Sequence, residues 1–65
     1  MNVIKVDPDN LPDCEVLAFN GDEMLVGELY KIRQVVYCET LESQINYVTH
    51  YITSSDLINH FKNNQ

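Results

Sequence analysis

EVLAFNGDEMLVGELYKIR, residues 15–33, decides the fold. It reads as two antiparallel strands folded back at Asn20-Gly21-Asp22-Glu23, because Asn-Gly followed by Asp supplies the positive-φ positions a tight hairpin needs. A two-residue loop at Asn20-Gly21 would set Phe19 opposite Asp22, whereas a longer loop sets Phe19 opposite Met24 and Leu17 opposite Val26. The second register places like against like and is the one expected.

Strands are expected over residues 14–19 and 24–33, with Gly27 marking a bulge or a close backbone approach inside the second. Alternation gives one face with Leu17, Phe19, Met24, Val26, Tyr30 and Ile32, and another with Val16, Ala18, Leu25 and Leu29. Both are partly apolar. Residues 35–41 form a third strand pivoting on Gln34, and Glu42-Ser43-Gln44 is polar enough for a turn. Residues 45–53 alternate Tyr47, Thr49 and Tyr51 against Val48, His50 and Ile52, a fourth strand of strong β formers.

The period then changes. Ser54-Ser55-Asp56 is an N-cap cluster, and Leu57, Ile58 and Phe61 share one side of a helix over residues 55–63. The predicted fold is α+β: a four-stranded antiparallel meander with one C-terminal helix packed on the face bearing Leu17 and Phe19. The chain is one domain, 1–65, divided into a lead-in (1–13), a sheet (14–53) and a helix (54–63). Within the lead-in, residues 2–6 form an edge strand or a disordered leader, and Asp7-Pro8-Asp9-Asn10 with Pro12 makes residues 7–13 turn-rich.

A chain of 65 residues leaves little room for a deep pocket; at this size only about 60% of the unfolded surface is buried. Its 45% hydrophobic content still argues for a folded domain. The formal net charge of −6 is uneven: Asp7, Asp9, Asp13, Glu15, Asp22, Glu23 and Glu28 oppose Lys5 alone up to Tyr30, and the remainder is balanced. Such a field repels phosphate and disfavours direct nucleic-acid binding, while it favours a basic surface on another protein. The N-terminus MNVIKVDPDN lacks a signal-peptide run and no stretch approaches a membrane span, so a cytoplasmic setting with Cys14 and Cys38 reduced is expected. A Cys14–Cys38 bridge stays open for an exported chain.

Three fragments carry a resemblance: Leu11-Pro12, Glu15-Val16-Leu17 and Val48-Thr49-His50-Tyr51. In these the chain resembles the small bacterial and phage-borne domains of unknown function numbered 551, which show a Leu-Pro lead-in, a Val-Leu strand start, a hairpin and a closing Val-Thr-His-Trp. It departs from them in having Tyr51 for the Trp and a helix in place of the proline-rich tail. The resemblance implies a compact, mostly β domain and a mobile-element origin, with no assigned activity to inherit.

Candidate chemistry is sparse. His50 invites comparison with a base or ligand, but local hydrogen bonding on a sheet face is the simpler reading, and His60 falls on the polar side of the helix. Cys14, Cys38, His50 and His60 include no close ligand pair of zinc-site spacing, and no Gly-rich phosphate loop exists. No metal or other cofactor and no enzymatic activity are expected. Tyr30, Tyr37, Tyr47 and Tyr51 all fall in predicted strands, as core or as an aromatic patch for a partner.

The reading that follows is a non-enzymatic acidic protein-binding module, in its sharpest form a phage-derived inhibitor of the anti-CRISPR or nucleic-acid-decoy type that occupies a basic groove. Asp13, Glu15, Asp22, Glu23, Glu28, Tyr30 and Tyr37 are the partner-binding candidates. The alternative is a homodimer through the face of Val16, Leu25 and Leu29.

Overall fold

A computed structural model of the chain describes residues 2–63; the expected domain limits at residues 1 and 65 lie outside them. The elements are β1 (Ile4–Lys5), β2 (Val16–Asn20), β3 (Glu23–Ile32), β4 (Val35–Glu39), β5 (Gln44–Ile45), β6 (His50–Thr53) and α1 (Ser54–Asn63). The class is α+β, an antiparallel sheet followed by one C-terminal helix. The sheet has six strands, however, in the order β1-β6-β2-β3-β4-β5, and is not a four-stranded meander. β6 inserts between β1 and β2, so the N-terminal residues form a true edge strand.

The hairpin register is the one expected, Phe19 against Met24 and Leu17 against Val26. It is reached by a two-residue loop, Gly21-Asp22, between the partners Asn20 and Glu23. Gly21 takes the positive φ (55°) that this loop needs. The second hairpin turns on Arg33 and Gln34, both at positive φ (52° and 70°), between the partners Ile32 and Val35. Two left-handed residues in succession define a type I′ turn, whose twist suits the flanking strands but whose usual occupants are Asn and Gly.

β3 serves two half-sheets. Its first half pairs with β2 as far as Val16–Gly27, and its second half pairs with β4 from Glu28–Glu39 onward. Gly27 stands at the changeover, where a methyl group would sit 2.6 Å from the Glu39 carbonyl oxygen and 3.1 Å from the Cys38 sulfur. Of the two roles expected for this glycine, the close backbone approach is the one observed.

The predicted fourth strand, 45–53, is broken. Only its ends are strands, and Tyr47 between them adopts a left-handed φ of 55°. Residues 46–49 form a strap across the molecule: Val48 N donates to Val36 O (2.8 Å), Thr49 N to Phe19 O (2.9 Å), and Thr49 O accepts from Val6 N (2.9 Å). The Asn20 side chain also donates to the Asn46 carbonyl. β propensity is overridden because these backbone groups bind β4, β2 and the lead-in in turn.

The core is consequently on the face opposite to the one expected. Val16, Ala18, Leu29, Val36, Cys38, Ile45, Val48 and Tyr51 are buried together, with Ile4, Val6, Leu11 and Leu25 packed against them. This is the Val16, Leu25, Leu29 face that the homodimer alternative requires, so it is already occupied by the chain's own strap and lead-in. The other face is open at Met24 and Val26, which are 62% and 52% exposed. Helix α1 does not cover it as predicted: it runs straight on from β6, lies against that strand, and buries none of its residues. Its cap is also one residue earlier than expected. Thr53 Oγ1 accepts from Asp56 N at 3.2 Å, while Ser54 and Ser55 lie inside the first turn.

Two substitutions test these backbone constraints. Gly27→Ala forces a sub-contact approach to the β4 backbone and is expected to cost about 2 kcal/mol of stability. Gln34→Gly relieves a left-handed non-glycine residue and is expected to add about 1 kcal/mol. Urea unfolding midpoints of the two variants should move in opposite directions, and a Gly27→Ala chain as stable as the parent contradicts the close approach.

Candidate functional site

The site is built by register. Because Glu28 and Glu39 are Cα partners across β3 and β4, their side chains share the outer face of the sheet. On the other side of β3 the pairing with β2 ends at Val16–Gly27, and Glu15, the residue before β2, lines the same cleft as Glu28 and Glu39. Three glutamates from three chain segments thus line up along one cleft. Paired strands lie about 4.8 Å apart, so Glu28 and Glu39 carry two negative charges one strand spacing apart. Like charges directly opposite one another are destabilising.

Glu42 joins them from the turn after β4. That turn is held by the Thr40 hydroxyl oxygen, which accepts from Glu42 N (3.2 Å) and Ser43 N (3.0 Å), while Thr40 N donates to Ser43 O (2.8 Å). Glu15, Glu28, Glu39 and Glu42 line one open cleft of about 730 Å³, with Gly27, Thr40 and the fully exposed Leu41. The ion pair found among the described residues lies elsewhere, between Lys31 and Asp9 at 3.2 Å.

Tyr30 and Tyr37 are the neighbouring partners along the same strands, and their rings stack at 5.3 Å with an interplanar angle of 17°. The Tyr30 hydroxyl donates to Glu39 at 3.1 Å. Partial burial first, then this bond and the Glu39 charge, then Tyr37, push the Tyr30 phenol above its ordinary 10.0. Burial, with the Glu15 charge second, likewise raises the Cys38 thiol, which lies 3.6 Å from the Leu25 carbonyl oxygen. Both cysteines are free, Cys14 exposed and Cys38 buried.

Of the predicted partner-binding residues, Glu15, Glu28, Tyr30 and Tyr37 converge here. Asp22 and Glu23 do not line the cleft: they lie at the tip of the first hairpin, and five residues of strand, ~17 Å, separate Glu23 from Glu28. Asp13 is exposed in the lead-in and does not line it either. Glu39 and Glu42 were not among the predicted residues, since charge was weighed by position along the chain. The signal for Glu39 was present: a two-residue turn at Arg33-Gln34 sets it opposite Glu28.

The remaining tyrosines separate, Tyr51 into the core and Tyr47 onto the exposed strap. His50 is exposed, with Nδ1 3.0 Å from the Thr49 hydroxyl, and His60 meets Phe61 edge-on. Among the described residues no group of three or more His, Cys, Asp or Glu is placed to hold a metal ion, and no helix is long and apolar enough to cross a membrane. No family model, curated protein or solved structure matches the chain.

The Tyr30–Glu39 bond has a pH signature. A pKa raised on folding means that the bond's contribution is present in full at neutral pH and is lost as pH rises through the raised value. In a titration of ¹³C-labelled tyrosine followed by NMR, Tyr30 is expected to ionise above the ordinary value, and Glu39→Gln to bring it down. A Tyr30 midpoint unmoved by that substitution contradicts the bond.

Proposed function

We propose that the chain is a non-enzymatic binding protein that presents its row of glutamates to a basic surface on another protein. Its sharpest form is a phage-derived inhibitor of the anti-CRISPR or nucleic-acid-decoy type, occupying a groove that otherwise takes nucleic acid. The observation that carries this reading is the convergence of Glu15, Glu28, Glu39 and Glu42 on one open cleft whose lining contains no Lys or Arg. The Glu28–Glu39 pair, one strand spacing of about 4.8 Å apart, compares with one phosphate per about 3.4 Å along a single nucleic-acid strand.

Carboxylates used as paired acid and base stand in unlike surroundings, at least one of them sheltered from water, that push their pKa values apart. All four glutamates here are solvent-exposed, which favours recognition over catalysis. A net charge of −6 on 7.5 kDa also steers the molecule toward a basic partner from a distance. The resemblance to phage-borne domains supports the mobile-element origin.

Immobilised parent chain and its Glu15→Gln, Glu28→Gln, Glu39→Gln, Glu42→Gln variant are to be compared in capture from bacterial lysate. The parent is expected to retain a basic, nucleic-acid-binding protein that is released by moderate salt and displaced by double-stranded DNA, and the variant to lose it. A captured set that is indifferent to the four substitutions, or that DNA does not displace, rejects the decoy reading.

A further inference from the structure

The outer face of β3 reads, residue by alternate residue, Met24, Val26, Glu28, Tyr30, Ile32. Met24, Val26 and Ile32 are each more than half exposed (62%, 52% and 54%), so two apolar ends flank an acidic and aromatic middle. Neighbouring strands widen each part. Leu17 and Phe19 stand beside Val26 and Met24, Glu39 beside Glu28, Tyr37 beside Tyr30, and Val35 beside Ile32. An acidic row that crosses an otherwise apolar sheet face asks for more than a charge.

We infer that this face is the docking surface for an amphipathic helix of a partner protein, with arginines at its centre and apolar residues at both ends. The inference rests on the binding reading above and specifies the chemistry of the partner. Charge complementarity names the centre of the occupant: a guanidinium reaches Glu28 or Glu39 and lies over the stacked Tyr30–Tyr37 pair, which favours Arg over Lys. The exposed Met24, Val26 and Ile32 name its ends. Each half of β3 pairs with one neighbour, Glu23–Gly27 with β2 and Glu28–Ile32 with β4, and an occupant lying face-on over the side chains meets no backbone to pair with. A helix, whose backbone groups are satisfied internally, suits that position better than an extended peptide. Met24 to Ile32 spans about 27 Å of strand, the length of about 18 helical residues.

The probe is a synthetic helical peptide of about 18 residues with Leu at both ends and Arg in the middle of one face. Its affinity for the chain is read by fluorescence anisotropy at two salt concentrations. We expect binding in the micromolar range that weakens with salt. Replacing Arg by Lys should weaken it several-fold, and replacing the Leu residues by Ser should weaken it about tenfold or more. Met24→Ser with Val26→Thr in the chain, exposed changes checked for folding by circular dichroism, should weaken it about tenfold as well.

The inference is overturned if the Ser peptide, or the Met24→Ser, Val26→Thr chain, binds as tightly as its parent, because charge alone is then recognised. It is equally overturned if the Leu–Arg–Leu peptide does not bind, or if sedimentation shows a dimer that the two substitutions disperse, since a second copy would then cover the face. DNA displacement in the lysate experiment is independent of all these outcomes, so loss of the helix reading and loss of the decoy reading are separately visible.

Discussion

The passage of β3 from one half-sheet to the other at Gly27 is the constraint on which the rest of the structure depends. A side chain at that position would collide with the Glu39 carbonyl, so only glycine lets the end of β4 come in as the start of β2 falls away. With the two half-sheets set against each other by one continuous strand, Val16, Ala18, Leu29 and Cys38 meet on the inner side. The strap through Val48 ties β4 to β2 and the lead-in across it. A domain of this size thus encloses a core with its own loops, and the helix is left outside that work.

The acidic row follows from the same changeover. Glu28 is the first residue past Gly27, where the pairing with β2 has ended and the pairing with β4 begins at Glu39, so Glu39 is its partner and Glu15, just before β2, lines the same cleft. Opposed like charges work against folding, and an apolar or mixed pair there would favour it. Stability forgone at an exposed position is intelligible when the position serves recognition, and the aromatic pair beside it, stacked and bonded to Glu39, holds the row in place.

Much of this was legible in the chain itself, and the failures have physical causes. Local signals held: Asn-Gly-Asp and the like-with-like rule found the first register, Gln34 was recognised as a pivot, Gly27 as a bulge or a close approach, of which the second is present, and residues 55–63 as a helix. Each depends on neighbours within a few positions. Signals that depend on distant partners failed. Nothing near Tyr47 announces that the backbone there will turn left-handed to bind three separate elements, and nothing near Thr53 announces that β6 lies beside β1. The choice of inner face failed because both alternations along 15–33 are apolar, and a helix was assumed to settle what the strap settles. Of the acidic residues picked by chain position, Glu15 and Glu28 line the cleft while Asp13, Asp22 and Glu23 lie outside it, and its other two glutamates, Glu39 and Glu42, were not picked. Their meeting is a matter of register, not of composition.

The two outermost strands, β1 and β5, are only two residues long. A strand that short offers an arriving chain scarcely any unpaired backbone of its own to extend. The apolar side chains left uncovered on the outer surface, Met24, Val26 and Ile32, belong to β3 in the middle of the sheet and not to either border. At those borders association through side chains is thereby favoured over extension of the sheet through the main chain.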